Sequence, residues 1–392
     1  MPSSRTVMIA GAGIGGLTAA LAIAQHGFDV VLFDQAQRLE EVGAGIQLSP
    51  NASRVLLALG LGDQLRRHVV APEELRVVDA RSRAPLGAVA EQRFGAPYWV
   101  IHRGDLQAVL IEAVGRHPEI VLHLGARIED FVLNENGVAV FARSPQGALE
   151  HRGAALIAAD GLWSTLRRRL GDRHDPRFAD HTAWRALAPA DALVSELRAP
   201  AVNLWLGSSA HLVHYPVRGG SLINVVAIIR DEWREAGWTA PAEGAEILAR
   251  YPAPMWSQAA RAILAAPRLW QKWALYDHAP LAHWGRGAVT LLGDAAHPML
   301  PYLAQGAAMA IEDAAVLARR LAATRNDPAA AMRAYERERR GRTARAQRAA
   351  RRNGMIYQLS GPAALLRTLT LAAIGGKRLL ARHDWLYGWT PT

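Results

Sequence analysis

The stretch Val7-Met8-Ile9-Ala10-Gly11-Ala12-Gly13-Ile14-Gly15-Gly16, an apolar strand running straight into closely spaced glycines, decides the fold. Gly11 permits a tight turn, Gly13 lets the backbone approach a pyrophosphate, and Gly16 lets the following helix lie close to the strand. Phosphate charge then meets the free N–H groups of a helix N-terminus. The spacing of Leu17, Ala20, Leu21 and Ala24 predicts a helix from about Ile14 to His26, stopped by Gly27. Asp29 to Phe33 reads as the second strand. It delivers Asp34 roughly 20 residues past the glycines, where a carboxylate binds a ribose hydroxyl. Strand, helix, strand and acid together make a dinucleotide-binding opening, which by itself does not separate NAD from FAD.

The chain has 392 residues, enough for two domains with a large buried core. It contains no cysteine, so disulfides, thiolate metal sites and cysteine nucleophiles are excluded. The nucleotide loop follows the start too closely for a secretory signal. The apolar stretch Thr368 to Gly376, bounded by Arg367 and Lys377, is too short to span a bilayer. The expectation is a cytoplasmic protein with no membrane partner. The formal charge of +10 comes from 45 basic residues of which only Lys272 and Lys377 are lysine, a skew that reads as coding bias. Excess positive charge would still concentrate anionic cofactors and carboxylate substrates. The nine arginines from Arg333 to Arg352, interleaved with alanine and with Glu336 and Glu338, read as a solvated helix face rather than a nucleic-acid surface.

Pattern changes divide the chain. A nucleotide-binding domain is expected over 1–75, 101–180 and 276–350. A β-rich domain is expected over 76–100 and 181–275, inserted within the first, and a C-terminal helical segment over 351–392. In the nucleotide-binding part, strands are expected at Tyr98 to Ile101, Val121 to Leu124, Ile128 to Leu133, Val138 to Phe141 and Ala155 to Ala159. Asp105 to Gly115 reads as a helix, and Asn136-Gly137 as a hairpin turn. In the inserted part, His211 to Val217 and Leu222 to Ile229 flank Arg218-Gly219-Gly220-Ser221. A two-residue Gly-Gly turn there makes a hairpin with Tyr215 opposite Asn224. Period-two geometry puts His211, Val213, Tyr215 and Val217 on one face and His214 on the other.

Further stretches resemble the single-component FAD-dependent aromatic hydroxylases, closest to their salicylate hydroxylase, hydroxybenzoate and 6-hydroxynicotinate monooxygenase branch. They are Gly43-Ala44-Gly45-Ile46-Gln47-Leu48-Ser49-Pro50-Asn51-Ala52, His102-Arg103-Gly104-Asp105-Leu106, and Ala159-Asp160-Gly161-Leu162-Trp163-Ser164 with Arg167. Most specific are Gly293-Asp294-Ala295-Ala296-His297-Pro298 and Gln305-Gly306-Ala307-Ala308-Met309-Ala310-Ile311-Glu312-Asp313-Ala314. The resemblance covers roughly residues 5 to 350. It implies an α/β fold: a Rossmann-like FAD-binding domain, an inserted, mainly antiparallel β-sheet that binds substrate, and a C-terminal helical region. It implies FAD contacts from Gly11, Ala12, Gly13, Ile14, Gly15, Gly16, Asp34, Gln35, Arg38, Gly45, Ile46, Gln47, Arg103, Asp160, Gly293, Asp294, Gly306 and Ala307. Asp294, at a strand's C-terminal end, suits ribityl hydroxyls, and the free N–H groups after Gln305 suit negative charge on a reduced flavin. Departures from the family pattern are Asp34 for glutamate, Ala304 for glycine, and Gln47 for the histidine of hydroxynicotinate-type relatives.

The activity implied by the resemblance is hydroxylation of a phenolic or N-heteroaromatic acid with NADH or NADPH and O2, through a C4a-hydroperoxyflavin. The protein must then position the ring, deprotonate the phenol and exclude water. His211 and Tyr215 are expected to form the proton relay. Pro301 is expected to meet the ring through its carbonyl, and Tyr302 to contact the substrate. No metal spacing or Ser-His-Asp order is evident. A monomer or homodimer is expected. The alternatives are a related flavoprotein of the epoxidase or reductase type acting on a non-aromatic substrate, and a nucleotide-binding scaffold holding a partner with its Arg-rich helix.

Overall fold

The computed structural model describes residues 5–39, 44–89, 94–135 and 137–391, so Gly43 and Asn136 lie outside the described residues. Thr6–Ala10 is the centre of a six-stranded sheet with the order Gly285–Arg286, Val289–Leu291, Ala155–Ala158, Thr6–Ala10, Asp29–Asp34, Ile120–Leu124. Five of these strands are parallel, and only Gly285–Arg286 pairs antiparallel. Such strands are covered on both faces and read as near-continuous apolar runs, as Val7-Met8-Ile9-Ala10 and Ala155-Leu156-Ile157-Ala158 do.

The first helix is Ile14–Ala24. It ends two residues before the expected His26 because His26 and Gly27 close a turn onto Ile23 and Ala24, with Gly27 at φ +77°. It is buried all round rather than on one face, since it lies between the sheet and the helix Gly306–Ala323. A side chain at Gly16 would have its Cβ 1.8 Å from the Gly11 carbonyl oxygen, so the close helix-to-strand approach requires glycine. Gly11 itself has φ +104°.

The second large sheet has eight strands in the order Thr239–Ala242, Trp270–Asp277, Arg177–Pro189, Leu222–Arg230, Ala210–Val217, Ala201–Leu206, Glu74–Asp79, Pro85–Val89. All its pairs are antiparallel except Ala201–Leu206 with Glu74–Asp79. Tyr215 stands opposite Asn224, as the hairpin spacing requires. The turn is not the two-residue form, however. Arg218–Gly220 makes a single 3-10 turn, with Val217 and Leu222 the last pair and positive φ at Arg218, Gly219 and Gly220.

The back of this sheet, with Trp184, Trp205, Leu212, Val225 and Ala227, packs on the helices Gly244–Arg250 and Gln258–Ala265. Its front, with Ala183, Arg185, His211, Val213, Tyr215, Asn224, Val226 and Ile228, turns toward the parallel sheet. Positions 75, 180 and 350, where boundaries are expected, fall within Glu74–Asp79, Arg177–Pro189 and the helix Pro328–Tyr357, and the strand Arg177–Pro189 is irregular there, with a register shift between Phe178 and Thr182.

The Arg-rich stretch forms the helix Pro328–Tyr357, on which Arg337, Arg345, Arg348 and Arg352 are exposed as its sequence reading has them. Arg339 departs from that reading and is 1% exposed. Its partners, Glu312 and Asp313, lie fully buried on the preceding helix. Among the described residues no helix is long and apolar enough to cross a membrane, and no cluster of histidine and carboxylate side chains is placed to hold a metal ion.

Candidate active site

Two connected cavities lie between the sheets, outside the carboxyl ends of the parallel strands. The outer cleft, about 910 Å³, is bordered by Gly11, Gly13, Asp34, Gln35, Arg103, Asp160 and Asp294. The inner cavity, about 380 Å³, is bordered by Gly13, Ile14, Gly15, Gly45, Ile46, Gln47, Arg103, Gly293, Asp294, Gly306 and Ala307. The positions expected from scattered stretches of sequence thus line one continuous trough. Three depart from that. Ala12 is buried and gives its N–H to Asp34, at 2.7 Å, so its amide is not free for phosphate. Gly16 serves helix packing. Arg38 is exposed past the end of the second strand and borders neither cavity.

The trough fits a dinucleotide. A Cβ on Gly13 would meet nothing within 4 Å, so the backbone there stands open to a large ligand. The helix beginning at Ile14 has no side-chain cap, leaving its first N–H groups for an anion, and the helix beginning at Gly306 is likewise uncapped. Asp34 accepts from the amides of Ala12 and of Ala36, the latter at 2.8 Å, and a carboxylate with two such bonds retains lone pairs for a ribose hydroxyl. The FAD that the sequence resemblance implies would supply hydride acceptance and oxygen activation when bound. Asp34 would hold its adenosine ribose, Gly13 to Gly15 its pyrophosphate, and Asp294 with Gly306 and Ala307 its flavin end.

Asp160 borders the outer cleft but also accepts from the Ser164 hydroxyl at 2.5 Å and the Leu166 amide at 3.2 Å, closing the turn into the helix Thr165–Arg169. Burial raises its pKa. Arg167, from the same sequence block, is 2% exposed, and it donates to the carbonyls of Ala295 and Leu162. It ties two cleft loops together.

A buried polar network fixes the loops around Gly293 and Gln305. Asp313 accepts from the Gly293 amide (3.1 Å), from Arg339 Nε (2.6 Å) and pairs with His297 Nε2 (2.5 Å). This is the role of His297 that sequence reasoning left open. Burial alone would push the Asp313 carboxyl up, but His297 and Arg339 hold it at about 2. Glu312 accepts from Arg339, Arg342 and Asn51, and Asn51 and Ser49 in turn hold the side chain of Gln305 at the start of the next helix. Arg339 and Arg342 also lie over the rings of Trp389 and Trp385.

His211 and Tyr215 both border the inner cavity, yet they do not touch each other. Four residues along a strand span ~13 Å, with Val213 between them. A relay between them therefore has to pass through whatever lies over Val213. His211 sits against Tyr302 and Tyr357, with ring centroids 5.5 and 5.3 Å away. Burial, with His181 and Arg367 nearby, holds its imidazole down at about 3, so it is neutral at pH 7. Burial pushes the Tyr215 hydroxyl up, so it keeps its proton. Tyr215 and Asn224 close on the strand Gly45–Leu48 so tightly that a Cβ on Gly45 would stand 2.6 Å from the Tyr215 ring, and the Gly45 amide donates to Asn224 Oδ1 at 2.6 Å. His214 faces away and accepts from Trp205 Nε1 at 2.9 Å.

Pro301 borders both cavities and a third, apolar pocket of about 190 Å³ that contains Gln47, Tyr98, His211, Val213, Tyr302 and Tyr357. Tyr302 opens only on this third pocket, and its buried hydroxyl has no partner. Ala304, at the family's glycine position, is held at φ +52°. Two residues beside the site were not anticipated: Arg185, which borders the inner cavity, and Asn224, which lies behind it against Gly45 with its Nδ2 buried without a partner. The signal for Asn224 was its place opposite Tyr215 in the hairpin. Arg185 had none, because the strands that surround it are distant in sequence.

Residues 4–351 match a family model described as FAD binding domain. The 3-hydroxybenzoate 6-hydroxylase of Polaromonas naphthalenivorans is 38% identical over 394 residues, covering 99% of this chain and 97% of that protein. Among solved structures, a salicylate hydroxylase substrate complex superposes with a TM-score of 0.85 at 28% identity, covering 100% of this chain and 97% of the other. Klebsiella pneumoniae HpxO complexed with FAD and uric acid superposes with a TM-score of 0.86 at 26% identity, covering 98% and 97%.

Proposed function

The chain belongs to the FAD-binding-domain family matched by residues 4–351, and from that membership we propose that it is an FAD-dependent monooxygenase adding a hydroxyl group to the ring of a phenolic aromatic acid, with NAD(P)H and O2 as co-substrates. The observation that carries the reading is the meeting of three parts at one cavity. These are the glycine cradle at Gly13, the uncapped helix at Gly306, and a sheet face bearing neutral His211 and protonated Tyr215. A phenol lying over Val213 reaches His211 at one end and Tyr215 at the other. His211, held neutral, accepts a hydrogen bond from the ring hydroxyl, which polarises the O–H bond and raises the electron density of the ring, and Tyr215 donates a hydrogen bond that orients the ring from its other end. Pro301 and the aliphatic side chains of Val213, Val226 and Ile228 exclude water from the reacting edge. We place the reaction in the cytoplasm, where NAD(P)H is supplied.

The test is NADH and NADPH consumption by FAD-loaded protein against a panel of hydroxylated aromatic acids headed by 3-hydroxybenzoate, with product and hydrogen peroxide quantified together. One acid giving hydroxylated product with little peroxide is the expected result. Peroxide accounting for all the nucleotide consumed, with every acid, refutes the assignment.

A further inference from the structure

Arg185 stands near the middle of the eight-stranded sheet, on its front face. Register places it beside Val226, and Val226 beside Val213, so it shares a row with the residue between His211 and Tyr215. It borders the same inner cavity as those two side chains. Its guanidinium lies over the Trp273 ring at 5.2 Å, which holds it flat and in place. Yet it makes no hydrogen bond or ion pair among the described residues, and its Nε is buried without a partner. Every other deeply placed arginine of this site has one: Arg167 has carbonyls, and Arg339 has Glu312 and Asp313. Burial works against its charge, and of the side chains that bear on it Arg103 repels it while Tyr215 favours it. A guanidinium held in a low-dielectric wall without an anion is costly, and its planar fork matches a carboxylate.

We infer that Arg185 is the anchor for the carboxylate of the aromatic acid, gripping it across Val226 while His211 addresses the ring hydroxyl. This rests on the function proposed above and specifies its substrate class: an anionic acid, not a neutral phenol. Both arginines border the outer cleft and the inner cavity; Arg103, the exposed one at the start of the helix Arg103–Gly115, remains for the cofactor, and Arg185, on the sheet face beside Val226, for the acid.

The experiment titrates FAD-loaded wild type, Arg185→Met and Arg185→Lys with 3-hydroxybenzoate and with its neutral counterpart 3-hydroxybenzamide, following the visible spectrum of the flavin. FAD affinity and KM for NADH are measured alongside. Arg185→Met should weaken the acid by ~10- to 100-fold, leave the amide within about twofold, and leave FAD affinity and KM for NADH unchanged. Arg185→Lys should fall between. The Met variant should be at least as thermostable as wild type, since it removes an uncompensated cation. Equal weakening of acid and amide, or a loss confined to FAD or to NADH, overturns the assignment and makes Arg185 a structural or nucleotide contact. Wild type that binds the acid and a Met variant that binds it equally well overturns Arg185 alone. Wild type that binds no hydroxylated acid of the panel overturns the proposed function and this inference with it.

Discussion

Replacing Asp313 by asparagine removes one charge from the buried network and leaves its shape. The carboxylate meets Arg339 at 2.6 Å and His297 at 2.5 Å, with no exposure to solvent. Those partners hold it at about 2, against an ordinary 3.8. A depression of nearly two units is worth roughly 2–3 kcal/mol of folding stability. Breaking a buried pair outright costs about 3–5 kcal/mol, and because asparagine keeps one acceptor and Arg339 keeps Glu312, the loss expected at pH 7 is about 3 kcal/mol. The sign follows from the direction of the shift. The unfolded carboxyl binds its proton near pH 4 and the folded one only near 2, so the stabilisation is complete above about pH 4 and disappears as pH falls through about 2. Urea unfolding of the two proteins should give a constant gap between pH 7 and 5 that narrows below pH 4. A gap as wide at pH 3 as at pH 7, or no gap at pH 7, refutes the claim that an ionised Asp313 holds the loop.

Gly13→Ala and Gly16→Ala should separate ligand from fold. The first has open space at its Cβ and should leave the apoprotein's melting temperature unchanged while FAD affinity falls at least tenfold. The second drives a Cβ to 1.8 Å from a backbone oxygen and should destabilise the apoprotein by about 3 kcal/mol. Similar melting curves for the two would contradict the geometry. His211→Asn should retain FAD and lose hydroxylation by 10²-fold or more. Because burial depresses the wild-type imidazole to about 3, the unfolded chain takes up a proton below pH 6.5 that the folded chain refuses. Wild type should therefore lose stability more steeply than the variant from pH 6.5 downward, and parallel profiles would show that His211 is not held neutral. Tyr302→Phe deletes a buried hydroxyl without a partner, so thermal stability should hold or rise. A fall in kcat at unchanged KM would then assign that hydroxyl to the reaction, whereas a fall in melting temperature would contradict the absence of a partner.

What could be read in advance followed from local pattern. The glycine spacing, the apolar parallel strands and the Tyr215–Asn224 register are set by residues within one turn or one hairpin, where side-chain period and turn chemistry act directly. The charges were harder. Arg339 and Arg342 looked solvated because their acids stand on another helix. The visible sign was on that other helix, where Glu312 and Asp313 interrupt the apolar run from Ala307 to Leu317. Two adjacent acids have no place in such a run unless cations meet them. Arg185 offered no sign at all, since its isolation becomes apparent only when Leu222–Arg230 and Trp270–Asp277 close around it.

Pro301 is a wall common to the outer cleft, the inner cavity and the apolar pocket, and that makes it a poor place from which to retune specificity. Any residue exchanged there alters three volumes at once, so a gain in room for a larger ring arrives together with a shift in the cofactor's seat. Divergence toward new substrates is channelled instead to the opposite wall. Val213 and Val226 border the inner cavity but not the outer cleft, so a change of one methyl group there would reshape the inner chamber on the sheet's side and leave the walls of the outer cleft as they are.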